Sequence, residues 1–224
     1  MNAIAKKVRA ARRPVALTGA GISAPSGIPT FQEDWKGRPV REFLSRDYFR
    51  RNPRAFFELF SQMVAWCDKM VNPAHLALGE MGLPIITQNI DGLHHKAGNN
   101  EILEIHGSLR TVICPACHRQ MPAKWFADRF TKALASGDDR AVEAAMRCEC
   151  GAMWDTDVVL YGDAVRHLDR AVKLSQRCDL MLVVGTSLVT YPAASLPEIA
   201  ASHGAEVIII NEDCVGALSS QDKE

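Results

Sequence analysis

The chain has 224 residues, 47% of them hydrophobic and 15 of them glycine, enough to bury one substantial core with a small appended module. Its apolar runs, such as 180–184 and 207–210, fall far short of the roughly 20 residues that cross a bilayer, so no helical membrane span is expected. The formal charge is zero although residues 1–55 hold twelve Lys or Arg against four Asp or Glu; solvated helix faces account for that imbalance, and it supports no specific nucleic-acid partner.

Met1 to Arg13 is basic and Ala-rich, with apolar residues near helical spacing and without the apolar core and cleavage site of a secretory signal. It reads as a surface helix, and the expected location is the cytoplasm. Val15-Ala16-Leu17-Thr18 then runs into Gly19-Ala20-Gly21, a buried strand ending in a tight, glycine-bearing turn. Residues 27–40 carry Pro29, Gly37 and Pro39 with little periodicity and are expected to form a functional loop. Asn52-Pro53 opens a helix whose stripe of Phe56, Phe60, Met63, Cys67 and Met70 is expected to be core. Asn72-Pro73 opens a shorter helix that stops near Gly82, followed by a strand at 84–87. Helices at about 164–177 and 192–203 alternate with strands at 179–184 and 207–210, so the main sheet should be parallel.

Residues 110–157 break this alternation. Cys114-Pro115-Ala116-Cys117 and Cys148-Glu149-Cys150-Gly151 are two close pairs that bracket a polar helical stretch with little apolar surface. Four thiolates suit a tetrahedral zinc site closed to chemistry, and a small module gains folding energy from such a metal. A disulfide has no secretory signal in its favour, and a thioredoxin-like pair requires a βαβ context. His118 is a spare ligand at most, while Cys67, Cys178 and Cys214 read as ordinary thiols.

Gly19-Ala20-Gly21-Ile22-Ser23-Ala24 fits the loose dinucleotide pattern in which backbone N–H groups and a helix N-terminus hold a pyrophosphate. The acidic residue that an ordinary dehydrogenase presents about 20 positions later, at the end of a second strand, is missing, which disfavours that class. Thr87-Gln88-Asn89-Ile90-Asp91-Gly92-Leu93-His94 leaves the second strand at the ligand-binding edge; Asn89 and Asp91 either recognise an amide or cap the helix that follows. His106, followed by Gly107, is either structural or a general base for a sugar hydroxyl, because its pKa is near neutrality and the glycine permits close backbone approach. His75 looks structural by comparison. Gly185-Thr186-Ser187 and Asn211 occupy equivalent places after two further strands, so several strand ends converge on one edge, as in a nucleotide site.

Together, residues 19–31 (GAGISAPSGIPTF), 87–94, His106-Gly107, the cysteine pairs, 158–163 (VVLYGD), 185–188 (GTSL) and Asn211 resemble the sirtuin family over about residues 6–213. That resemblance implies an α/β fold: a Rossmann-like parallel sheet with helices on both faces plus a small zinc-binding and helical domain. Residues 1–35, 83–109 and 158–224 would form the NAD-binding domain, 36–82 a helical insertion and 110–157 the zinc module. It also implies an NAD-dependent protein-lysine deacylase in which the acyl-lysine oxygen of a protein or peptide attacks the nicotinamide ribose, nicotinamide leaves and O-acyl-ADP-ribose forms. His106 would take a proton from a ribose hydroxyl. Gly19, Ala20, Gly21 and Ile22 would line the phosphate turn, and Phe31 would cover the nicotinamide ribose. Gln88 and Asn89 would contact the ribose and catalytic water, and Ile90 and Asp91 the nicotinamide carboxamide. Gly185, Thr186, Ser187 and Asn211 would hold the phosphate and adenosine half. Val159, Leu160, Tyr161 and Gly162 would pair with the substrate, with Val159 and Tyr161 lining the acyl tunnel, and Cys114, Cys117, Cys148 and Cys150 would hold one structural zinc.

Three departures from the family pattern stand out. Thr30-Phe31-Gln32 replaces Asp-Phe-Arg, which implies weakened activity or a substitute cation such as Lys36 or Arg38. Where the family continues with a last strand or helix that helps to enclose adenine, residues 216–224 are too polar for that role, which implies low NAD affinity or a pocket completed by another subunit. The Tyr-x-x-Arg pair of members selective for acidic acyl groups is absent, the best match being Phe57-Glu58-Leu59-Phe60, which implies neutral acyl substrates. Mono-ADP-ribosyl transfer or NAD hydrolysis in the same cleft, and a non-catalytic NAD or acyl-lysine sensor, are the rival readings.

Overall fold

The computed structural model describes residues 3–30 and 34–212. Helix α1 (Ala3–Ala10) precedes strand β1 (Pro14–Thr18), a 3-10 turn (Ala20–Ser26) and a hairpin of β2 (Asp34–Trp35) and β3 (Arg38–Pro39). Helices α2 (Val40–Phe43), α3 (Arg46–Arg51), α4 (Pro53–Val64) and α5 (Pro73–Met81) lead to β4 (Ile85–Thr87), α6 (Leu93–Lys96), β5 (Ile102–Glu104) and β6 (Gly107–Ile113). There follow β7 (Gln120–Pro122), α7 (Ala123–Ala135), α8 (Asp139–Ala145), β8 (Asp155–Val158), α9 (Leu168–Arg177), β9 (Leu180–Val184), α10 (Leu196–Ser202) and β10 (Glu206–Ile210).

The main sheet has the order β10-β9-β1-β4-β5, and every neighbouring pair is parallel. Its strands are continuous apolar runs because both faces are covered. Val15, Leu17, Met181 and Val183 pack with Ala171 of α9 and Leu196 and Ala200 of α10, while Ala16, Leu180 and Leu182 pack with Val8 of α1 and Leu78 of α5. The alternation is the two-residue period of a strand dividing one sequence between two layers of helix. In register, Thr18 faces Thr87 and Val184, Thr87 faces Glu104, and Val184 faces Ile210. The loops starting at Gly19, Gln88, Ile105, Gly185 and Asn211 therefore leave one edge at one level. The chain departs from β1 toward β4 on one side and β9 on the other, the arrangement that opens a ligand crevice.

A second body of structure is built on the antiparallel sheet β7-β6-β8. Here the structure corrects the expectation of little apolar surface between the cysteine pairs. Ala123, Phe126, Ala127 and Phe130 form a buried stripe on α7 that packs on α4, with Phe57 and Phe126 rings 4.7 Å apart. One hydrophobic cluster runs from Val40, Phe43 and Phe49 through Phe56, Phe57 and Phe60 to Val142, Met146 and Trp154. The α4 stripe is core as far as Met63, but Met70 is 77% exposed. The helix ends at Val64 and a 3-10 turn takes over at Ala65–Asp68, so the periodicity that would carry Met70 inward is lost. Residues 27–40 contain the small β2–β3 hairpin rather than loop alone.

Candidate active site

The turn after β1 and the turn after β9 lie in backbone contact. Gly19 N–H donates to Val184 C=O at 3.1 Å and Gly21 N–H to Gly185 C=O at 2.8 Å. Gly185 has φ +63°, and a Cβ there would stand 2.2 Å from the Ile22 nitrogen, so only glycine lets the two turns meet. The segment expected to begin a helix is a 3-10 turn with Pro25 inside it, burying Ile22 and Ser23 and leaving Ala20 half-buried. Thr186 is buried; Ser187 and Asn211 are exposed at the same edge.

Gln88 joins three of these parts. Its N–H donates to Thr18 C=O at 3.0 Å, its side-chain amide donates to Thr186 Oγ1 at 3.0 Å, and its C=O lies 3.1 Å from His106 Nδ1. Asn89 is held by Thr87 Oγ1, and its side-chain amide donates to Gly19 C=O at 3.0 Å and Ser23 Oγ at 3.1 Å. Asp91 accepts from Ser23 Oγ at 2.7 Å and from Leu93 N–H at 2.8 Å. One carboxylate oxygen thus binds the first N–H of α6, as the capping reading expected, while the other belongs to the polar network with Ser23. Asn89, Ile90 and Asp91 line a small recess with Ala20, Ser23, Ile28, Pro29 and Trp66. The recess sets a buried side-chain amide and a buried carboxylate against an apolar wall.

His106 follows β5 and is half-buried. A carbonyl only accepts, so the contact with Gln88 places the proton on Nδ1 and leaves the Nε2 lone pair as the basic site. Burial lowers the pKa below the ordinary histidine value against the opposing pull of the Gln88 carbonyl, which keeps the ring neutral and competent as a base. Gly107 has φ +75°, and a Cβ there would stand 1.9 Å from Asp157 C=O. That close approach lets β6 start against β8, and His106 C=O then accepts Val159 N–H at 2.8 Å. The segment 159–162 is thereby tied to the histidine; Tyr161 is half-exposed and Leu160 is buried.

Below these groups lies a polar layer that sequence reasoning missed. Thr18 Oγ1 donates to Thr87 Oγ1 at 2.8 Å and contacts His94 Nε2 at 2.9 Å, and the His94 and His75 rings are 5.0 Å apart. His75 also completes the capping box of α5 with Asn72 and reaches Ser23 Oγ at 3.4 Å. Burial, with His75 and His95 nearby, pushes His94 down to about 3, so this layer is neutral at physiological pH. Its members fell within motifs noted for other reasons, and His75 was read as structural, but nothing in the sequence linked them to one another. Phe31 and Gln32, together with the tail at 213–224, lie outside the described residues. Of the two cations named as substitutes near Gln32, Lys36 pairs with Glu58 at 2.8 Å and Arg38 pairs with Glu42.

The four cysteine sulfurs of Cys114, Cys117, Cys148 and Cys150 all lie within 4.8 Å of one another, with Cys114–Cys150 at 3.4 Å and Cys117–Cys148 at 3.6 Å. A tetrahedron with zinc–sulfur distances of about 2.3 Å has edges of about 3.8 Å, so the donor set fits zinc. Backbone turns aim the thiols: His118 N–H donates to Cys114 C=O at 2.9 Å and Gly151 N–H to Cys148 C=O at 2.8 Å. All four ligands come from protein, which makes the site structural, and exposed His118 is not among them.

Comparison with known proteins bears on this geometry. The model of the Sir2 family matches residues 19–192. NAD-dependent protein deacylase 2 of Archaeoglobus fulgidus is 42% identical over 214 residues, covering 90% of this chain and 81% of its own. NAD-dependent protein deacetylase of Bacillus subtilis is 40% identical over 215 residues, covering 90% of this chain and 84% of its own. The structure of Sir2Tm bound to a propionylated peptide superposes with a TM-score of 0.81 at 31% identity, over 95% of this chain and 86% of that one. Sir2 with a deacetylated p53 peptide and 3′-O-acetyl ADP ribose gives 0.83 at 29% identity, over 95% and 87%. The chain therefore belongs to the Sir2 family, the sirtuins.

Proposed function

We propose that this protein is an NAD-dependent protein-lysine deacylase, which consumes NAD, frees the lysine of an acylated protein or peptide and releases nicotinamide and O-acyl-ADP-ribose, with His106 as general base. The observation that carries the reading is the Gln88 carbonyl on His106 Nδ1, which leaves a neutral ring with its basic nitrogen unspent. A sensing module needs no such tautomer.

On this reading NAD supplies an electrophilic ribose carbon, and the chain binds, orients and moves a proton. Gly19, Ala20, Gly21 and Ile22, with Gly185, Thr186, Ser187 and Asn211, bind phosphate and adenosine at the common strand edge. Gln88 and Asn89 orient the ribose and the attacking water, and Ile90 and Asp91 grip the carboxamide in their recess. Val159, Leu160, Tyr161 and Gly162 carry the acyl-lysine segment. Neutral acyl groups are the expected cargo, and the zinc holds the module at 110–157 together without taking part in the chemistry. Thiolates committed to zinc, with Cys67 and Cys178 left as thiols, suit a reducing compartment, which favours the cytoplasm.

The test is incubation of the purified protein with NAD and an acetyl-lysine peptide, with nicotinamide and O-acetyl-ADP-ribose followed by mass spectrometry beside His106→Ala. Formation of both products by the wild type and loss in the variant is expected. ADP-ribosylated protein or free ADP-ribose as the main product overturns the reading in favour of ADP-ribosyl transfer or hydrolysis.

A further inference from the structure

Arg46, the first residue of α3, spends its side chain on the start of β8 and on the loop that follows it. Its Nε and Nη2 donate to the two oxygens of Asp163 at 2.9 and 2.8 Å, and its Nη1 contacts both oxygens of Asp155 at 2.9 and 2.8 Å. Its backbone does the same work, since Arg46 N–H donates to Tyr161 C=O at 3.0 Å while Tyr161 N–H donates to Leu44 C=O at 2.9 Å. Asp163, so held, accepts Leu160 N–H at 3.0 Å, and the guanidinium lies 5.3 Å from the Phe49 ring centre. The arginine side chain is only 19% exposed. A fork that satisfies two carboxylates in one plane is a task that lysine, a single point donor, cannot perform.

The geometry of 159–163 needs such support. Tyr161 is 51% exposed, Gly162 has φ +99°, and ordering each loop residue costs about 1–2 kcal/mol of backbone entropy. His106 C=O fixes one end through Val159 N–H, and Arg46 fixes the other. Among the described residues Val159 C=O and Gly162 N–H have no hydrogen-bond partner, so a peptide strand laid along this segment finds its acceptor and donor at the two ends of the clamped stretch. Such main-chain pairing gives affinity only if the receiving strand is already extended.

We propose that Arg46 is a positioning residue for the acyl-lysine peptide: by clamping Asp155 and Asp163 it holds 159–162 in the form that receives the peptide backbone. This rests on the deacylase reading above. NAD binds at other strand ends, so peptide affinity depends on the fork and NAD affinity does not.

Steady-state kinetics of wild type, Arg46→Lys, Arg46→Gln and Asp163→Asn, with acetyl-lysine peptide and NAD varied in turn, tests the proposal. Titration of a fluorescein-labelled acetyl-lysine peptide and amide exchange of Leu160 and Tyr161 accompany it. Arg46→Lys keeps the charge, yet it is expected to raise the peptide KM about tenfold or more, as Arg46→Gln does, with the NAD KM within about twofold. Faster exchange at Leu160 and Tyr161 should go with it, and Arg46→Lys should add little in the Asp163→Asn background. A peptide KM within about twofold of wild type in Arg46→Lys overturns the proposal, as does a parallel rise in both KM values. A wild type that binds NAD without turning over peptide overturns the deacylase reading instead.

Discussion

His106 owes its basicity to a single acceptor, the Gln88 carbonyl, and its availability to burial that lowers the pKa. A base loses activity as it protonates, so kcat/KM falls as pH drops through its pKa. Because that pKa lies below the ordinary histidine value of about 6.5, the acid limb of the pH–rate profile should lie below pH 6.5. A limb centred above pH 6.5 in kcat/KM for the peptide would mean that His106 is not the group titrating. The histidine was legible because a glycine follows it, and the structure supplies the reason in the Asp157 carbonyl that any Cβ would strike. Its orientation was not legible, since Gln88 is 18 residues away and offers only a backbone oxygen. The same holds for His94 and His75, whose partners Thr18, Ser23 and Asn72 come from other strands and helices. Arg46 also escaped notice, because its carboxylate partners are more than 100 positions downstream.

Strands and their exit turns were the most readable elements, since a buried parallel strand is an uninterrupted apolar run and its glycine marks the site edge. The strand at 102–104 looked only like alternating residues before His106, because as the edge strand it is covered by a neighbour on one side alone. Helix α4 bears on substrate choice. Phe57 and Phe60, the best match in this chain to the expected Tyr-x-x-Arg pair, are buried at 0% and 1% exposure against Phe126. They present neither a cation nor a hydroxyl to an incoming acyl group. Acetyl-lysine peptide should therefore be turned over at least tenfold faster in kcat/KM than its succinyl counterpart, since burying an unpaired carboxylate is costly. Equal rates for the two peptides in a competition assay would refute this.

For the molecule as a whole, residues 40–64 and the cysteine module form one apolar body, whereas α5, expected to belong to the same insertion at 36–82, packs on the main sheet through Leu78. The sequence did not disclose this, because the two halves are separated by the strands β4 and β5, and α7 looked polar until its Phe126 and Phe130 were seen facing α4. Loss of the metal should consequently spread. Replacement of Cys148 with Ser is expected to remove one zinc per chain by elemental analysis and to speed amide exchange in α4 and α7 together, while β1, β4 and β9 keep their protection. Faster exchange restricted to the two cysteine turns would show that the aromatic core stands without the metal.

The Phe57–Phe126 contact also limits how pieces of this chain can be exchanged with those of relatives. A chimera that imports only residues 110–157 would set a foreign α7 face against the native α4 and leave voids or clashes where the rings now meet, as any mismatched core does. A graft that carries 40–70 along with it keeps the interlocked rings as one inherited unit.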